Sequence, residues 1–195
     1  MSGSRIYTKL GDDGSTGLLF GGRTSKADPL MDVIGSIDET VATLGLARAA
    51  SGDAELSGTI LGVQRDLFVA AADLVANPRA RDRLVAGISL LVPEMVSRLE
   101  ALIDRRVAAE PLRPVFVVPG ANLASAALDM ARTQVRRAER RLVAYVQQAR
   151  AAAPGAINPQ VGIYLNRVSD LLYVLARQAA GDGEEPASHD AVPAP

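Results

Sequence analysis

The stretch Asp28-Pro29-Leu30-Met31-Asp32-Val33-Ile34-Gly35-Ser36-Ile37-Asp38-Glu39-Thr40-Val41-Ala42-Thr43-Leu44 decides the fold. Asp is a good helix N-cap, and Pro suits the first helical position, where its missing N–H costs nothing. Ile34, Ile37, Val41 and Leu44 then recur at spacings of three and four, which puts them on one face of a helix. Ser51-Gly52 marks its end. Nothing in the stretch alternates with the period of two that a strand requires.

The same period continues downstream. A second helix is expected over Leu56–Ala76, with Ile60, Val63, Leu67, Ala70 and Leu74 on one face. Asn77-Pro78 stops it, because a residue before proline disfavours the helical region. Residues Arg79–Leu91 fit neither pattern. A third helix starts beside Pro93 and carries Val96, Leu99, Leu102 and Ile103. Pro111 and Pro114 bound a linker that leads into a short extended segment at Val115–Gly120. Long fourth and fifth helices are expected over Leu123–Ala152 and Pro159–Ala180. Short links and absent strand alternation imply an all-α, five-helix antiparallel bundle over residues 29–180. From Gly181 the chain is rich in Gly, Glu and Pro without periodicity, so 181–195 is expected to be a disordered tail.

Upstream, residues 1–28 read as a loop. Gly3, Gly11, Gly14, Gly17, Gly21 and Gly22 are mixed with Thr, Ser and Asp, with a short extended piece at Arg5–Thr8. Met1–Lys9 carries no apolar run, so no signal peptide is expected and the cytoplasm is the default compartment.

Composition narrows the chemistry. Aromatics are only 4% of a chain that is 48% hydrophobic, which favours helices over strands. There is no cysteine, which removes disulfides, thiolate ligands and thiol nucleophiles. The one histidine, His189, lies in the tail, so imidazole-based zinc, di-iron and triad chemistry is largely excluded. A net charge of −1 gives no general attraction to nucleic acid or anionic lipid. No apolar run is long enough to span a membrane.

Three segments hold more polar information than a bundle needs. Thr8-Lys9-Leu10-Gly11-Asp12-Asp13-Gly14-Ser15-Thr16-Gly17, with Lys26 beyond it, combines glycines, hydroxyls and lysines that suit a phosphate-binding nest, although it is not a Walker A loop. A flexible terminus would also explain it. On the fourth helix, Arg132, Arg136, Glu139 and Arg140 share one face, while Leu128, Ala131, Val135, Ala138 and Leu142 trace the apolar one. Guanidinium forks match polyanions, and Glu139 could order them or reach a phosphate-bound Mg²⁺. A solvated, salt-bridged surface is the plain alternative. On the fifth helix, Asn166, Asp170, Tyr173 and Arg177 form a polar stripe beside the apolar Val161, Leu165, Val168, Leu172 and Leu175. That stripe could face a ligand, another helix or solvent.

Taken in order, these segments resemble the PduO-type ATP:corrinoid adenosyltransferases. The matching blocks are Tyr7–Gly17, Ser25–Pro29, Gly35–Glu39, Phe116–Gly120, Ala131–Arg140 and Tyr164–Asp170, spanning about residues 5–178. The chain departs from the usual pattern at Asp13, at Thr40-Val41-Ala42 and at Ala121. The resemblance implies a homotrimeric bundle with active sites between subunits. It would transfer the 5′-deoxyadenosyl group of ATP to the cobalt of cob(I)alamin, with Mg²⁺ on the phosphates. ATP would be held by Thr8, Lys9, Leu10, Gly11, Thr16, Gly17 and Lys26 of the loop, and by Arg136, Arg137, Glu139, Arg140 and Asn166 of the helices. Arg136 would act on the triphosphate, and Asp38 and Arg132 would pair across the subunit interface. Phe116 would close the lower face of the corrinoid, with Asp170 also on the corrinoid side. Product would pass to an adenosylcobalamin-dependent enzyme. Two other classes stay open: a non-catalytic carrier of ATP and corrinoid, and a structural bundle whose arginine face binds protein. A ferritin-like metal bundle would need inward histidines that the chain lacks.

Overall fold

The computed structural model describes residues 6–149 and 157–188. Five α-helices carry the fold: α1 (Pro29–Ala50), α2 (Ala54–Val75), α3 (Pro93–Ala109), α4 (Leu123–Ala149) and α5 (Pro159–Ala180). A hairpin of β1 (Ser15–Gly17) and β2 (Arg23–Ser25) precedes them. A second two-stranded pair joins β3 (Val117–Val118) to β4 (Glu185–Pro186). The end of the fourth helix expected at Ala152 lies outside the described residues, as do Arg5 and His189.

Paired side chains give the helix directions. Arg141 with Asp32 and Arg137 with Glu39 run α4 antiparallel to α1. Asn166 with Glu139 and Arg177 with Asp129 run α5 antiparallel to α4. Arg98 with Asp66 and Arg106 with Glu55 do the same for α2 and α3. Successive helices therefore alternate in direction. The third and fifth consequently lie parallel, with Arg167 bonded to Glu100 and Gln178 to the Arg106 carbonyl.

The core contains every residue expected on the apolar faces of α2, α4 and α5. On α1 the buried stripe is shifted. Val33, Ile37, Leu44 and Ala47 are buried with Ser36, Thr40 and Thr43, while Ile34 and Val41 are half-buried. The hydroxyls of Ser36, Thr40 and Thr43 donate to the carbonyls of Asp32, Ser36 and Glu39 at 2.9, 2.8 and 2.9 Å. Back-bonded in this way they enter the core without an unmet donor.

Two expectations need correction, and one open stretch is filled. Extended structure is not at Ile6–Thr8 but at β1 and β2. The hairpin is anchored to the end of α2: Leu19 N–H donates to the Val75 carbonyl at 3.0 Å, and Asn77 N–H donates to the Leu19 carbonyl at 2.9 Å. Residues 79–91 resolve into the 3₁₀ helix Pro78–Arg83 and a turn around Gly87. They close over the buried Asp73, whose carboxylate accepts from Arg81 (2.5 Å), Leu91 N–H (3.0 Å) and Asn158 (2.6 Å). The tail is ordered through Ser188: Gly181–Gly183 turns, and Glu185–Pro186 pairs with β3. Backbone pairing and the burial of Glu184 supply the order that composition did not suggest.

Candidate functional site

The N-terminal loop is a compact, charged hairpin. Lys26 Nζ donates to the Gly11 carbonyl at 2.6 Å. A Cβ at residue 11 would lie 3.1 Å from that nitrogen, so glycine lets the lysine reach the backbone. Arg23 donates to the Leu10 carbonyl and, through Nε, to Ser15 Oγ at 2.9 Å. Asp13 accepts from the hydroxyl and the amide of Ser15 at 2.7 and 2.9 Å. The Ser15 hydroxyl, the Ser15 amide and the Arg23 guanidinium hold its carboxyl below the usual carboxylate range. Thr8, Lys9 and Gly17 are exposed, and Thr16 is half-buried on β1. Asp28 joins the hairpin to the bundle, since it caps Leu30 N–H at 2.9 Å and accepts from Thr24 Oγ1 at 2.9 Å.

The arginines of α4 divide by direction. Arg137 pairs with Glu39, and Arg141 donates to Ser36 Oγ at 2.6 Å, so both face α1. Glu139 faces α5 and accepts from Asn166 Nδ2 at 3.0 Å. Asn166 Oδ1 in turn accepts from Arg167 at 2.7 Å, and Arg167 donates to Glu100 at 2.8 Å. Arg136 and Arg140 project outward, are exposed, and have no ion-pair partner among the described residues. Arg132, Arg136, Glu139 and Arg140 lie on the side of α4 away from α1, with Arg132 and Glu139 toward α5 and Arg136 and Arg140 toward solvent. Two free guanidiniums stand beside a fixed carboxylate–amide pair, an arrangement suited to a polyanion.

Arg132 lies lower on α4, donating from Nε to Asp129 Oδ1 at 2.9 Å. Its guanidinium sits 6.0 Å from the Tyr173 ring centre. Asp38 is exposed and has no ion pair within the chain among the described residues. Asp170 is exposed, 3.7 Å from Arg167. Phe116 is 88% exposed at the opposite end of α4 from Arg141, just before β3.

The chain brings Glu139 and Asn166 together and aligns Arg136 and Arg140 beside them. It does not bring the loop to them: no hydrogen bond or ion pair among the described residues links residues 8–26 to Arg136, Glu139, Arg140 or Asn166. Sequence reasoning missed Arg23 as the cation that organises the loop, and missed the buried Glu184, which pairs with Arg177. Arg23 carried no signal, because its partners lie 8 and 13 residues away. Among the described residues no three acidic or histidine side chains cluster to hold a metal ion, and no helix is long and apolar enough to cross a membrane.

The cobalamin adenosyltransferase family profile matches residues 6–179. The corrinoid adenosyltransferase of Citrobacter freundii is 38% identical over 173 residues, covering 89% of this chain and 93% of that protein. The corrinoid adenosyltransferase of Mycobacterium tuberculosis is 39% identical over 186 residues, covering 93% and 91%. Among solved structures, a variant PduO-type ATP:corrinoid adenosyltransferase from Lactobacillus reuteri, complexed with cobalamin and ATP, superposes with a TM-score of 0.77. It is 31% identical, and the match covers 90% of this chain and 91% of that one.

Proposed function

The chain belongs to the cobalamin adenosyltransferase family, and from that premise we propose that it transfers the 5′-deoxyadenosyl group of ATP to cob(I)alamin at a site completed by a second copy. The observation that carries this reading is the pair of exposed guanidiniums, Arg136 and Arg140, beside the Glu139–Asn166 pair. They form half of a triphosphate site, and the loop lysines that would form the other half share no hydrogen bond with it within the same chain among the described residues; Lys26 is bonded to the Gly11 carbonyl instead. A neighbouring copy, in a homotrimer as in the resemblance, supplies the missing half.

Co(I) is itself a strong nucleophile, so the protein provides none, in keeping with a chain without cysteine. The Co(I) electron pair forms the Co–C5′ bond, and the C5′–O bond breaks with its electrons leaving on the triphosphate. Stabilising that leaving charge is the protein's main electrostatic task. Arg136 and Arg140 do this with donors that are already placed. Lys9 and Lys26 add charge once Lys26 exchanges the Gly11 carbonyl for a phosphate oxygen. Mg²⁺ would supply further charge neutralisation, and Glu139 is the carboxylate that would hold it. Phe116 covers the lower face of the corrinoid and excludes an axial ligand there, which eases reduction of Co(II). Asp38 pairs across the interface with Arg132, which uses only Nε within its own chain. The reaction belongs in the cytoplasm, and the adenosylated product passes to an enzyme that depends on it.

The test is an anaerobic assay with ATP, Mg²⁺ and chemically reduced cob(I)alamin, followed by visible spectroscopy. Light-sensitive adenosylcobalamin forming only with ATP present is expected. ATP binding without product would leave a carrier, and no binding of either substrate would overturn the reading.

A further inference from the structure

We propose that Glu184 is a positioning residue for Phe116, and that the segment Gly181–Ala187 braces the Phe116 strand against α4 and α5. The proposal rests on the assignment of Phe116 to the corrinoid face made above.

Phe116 is 88% exposed, so side-chain packing does not hold it. Its backbone is held by the C-terminal segment. Val117 and Val118 pair antiparallel with Pro186 and Glu185, and the Ala187 N–H donates to the Phe116 carbonyl at 2.8 Å. The turn before β4 fits closely under the same loop: a Cβ at Gly183 would lie 3.5 Å from the Ala121 Cβ.

Glu184 differs from its exposed neighbours in being buried. Its Oε1 lies 2.5 Å from Arg177 Nε, and both side chains are less than a tenth exposed. The contact is a charge contact off the hydrogen-bonding line, and neither atom has a hydrogen-bond partner. Arg177 also binds Asp129 on α4, and Asp129 holds Arg132 at 2.9 Å. Tyr173 lies beside both guanidiniums, 5.1 Å from Arg177 and 6.0 Å from Arg132. Charged contacts therefore run without a break from Glu184, the residue before the strand that pairs with β3, to Arg132, one helical turn before Arg136. Burying a carboxylate is costly unless its partners are fixed, so this contact sets the segment in one place.

The chain has no tryptophan, so Phe116→Trp creates a single reporter at the site. In that background, Glu184→Gln is expected to lower the fluorescence anisotropy of the reporter and raise its quenching by acrylamide. Ala187→Pro removes the N–H that bonds Phe116 without touching the Glu184–Arg177 contact, and is expected to do the same if Glu184→Gln folds poorly. With Phe116 restored, each variant should keep ATP affinity within about twofold, as expected of distant sites. Turnover should fall roughly tenfold to a hundredfold, the scale of a misplaced reacting group. The four-coordinate Co(II) spectrum formed with ATP bound should weaken in parallel. An unchanged reporter in both variants overturns the brace. A loosened reporter with full turnover, or ATP affinity and melting temperature falling together with turnover, overturns the positioning role. A Phe116→Ala protein that keeps the four-coordinate spectrum instead overturns the assignment of Phe116, whatever the reporter shows.

Discussion

Arg136, like Arg140, is set apart from the other arginines of α4 by what it lacks. Arg137, Arg141 and Arg132 each have a partner within the chain, whereas Arg136 is exposed and unpaired among the described residues. Arg136→Ala should therefore leave the fold intact and lower kcat by about a hundredfold or more, the usual loss of one preorganised donor. Steady-state kinetics beside a thermal melt checks both halves. Tyr164 presents the opposite case. It is fully buried, and its hydroxyl donates to Asp66 at 2.8 Å. Burial, then the Asp66 charge and hydrogen bond, push its pKa well above the ordinary tyrosine value. A raised folded pKa stabilises the protein fully below the unfolded value of about 10 and loses that stabilisation as pH rises above it. Denaturation midpoints should thus drop above about pH 10 in the native protein and drop less in Tyr164→Phe, which should cost about 1 kcal/mol at neutral pH. Equal slopes in the two proteins would remove Tyr164 as the cause. Arg136, Glu139 and Asn166 were legible in the sequence because one helical turn relates the first two and the third sits in its own short motif. The Tyr164–Asp66 and Arg177–Glu184 contacts were not, because nothing local in the sequence marks which side chains packing brings together.

At the scale of elements, helix periodicity was the most legible feature. α5 spans the residues its pattern indicated, Pro159–Ala180, with Asn158 capping Gln160 N–H at 3.0 Å. α1 was read one step around its axis, because Ser36, Thr40 and Thr43 bury hydroxyls that a hydrophobic count scores as surface. The hairpin was illegible for a different reason. Its order comes from anchoring on Ala76 and Asn77, more than fifty residues away, and from Arg83 lying 4.5 Å over the Phe20 ring. Phe20 has φ of +67°, a strained value for a bulky residue that only such anchoring sustains. Asp28 is the joint between the two elements. Asp28→Ala removes the α1 cap and the Thr24 contact together, and should cost about 1 kcal/mol in urea unfolding. KM for ATP should rise in the same variant, because the loop loses its tie to the bundle. A variant with normal stability but raised KM would show that the Thr24 contact matters and the cap does not.

For the whole molecule, the governing fact is that no hydrogen bond or ion pair among the described residues joins the loop cations to the α4 arginines. The loop cations lie where Asp28 and the end of α2 hold them, and Arg136 and Arg140 point outward from α4. If neighbouring copies complete each other, a protein disabled only in the loop and one disabled only on α4 should rescue each other. Lys26→Ala and Arg136→Ala are the suitable pair, since each removes one half-site and leaves the other intact. Unfolded together and refolded as mixed oligomers, they should recover about a quarter of native activity. In a cyclic assembly each site draws its loop from one copy and its helices from the next, and random mixing gives both intact halves about one time in four. Separately refolded and then combined, the same two proteins should stay inactive while subunits do not exchange. Recovery near zero in the mixed oligomers would mean that loop and arginines serve the same site from one chain, and the Asp38–Arg132 pair would be the part left to the second copy.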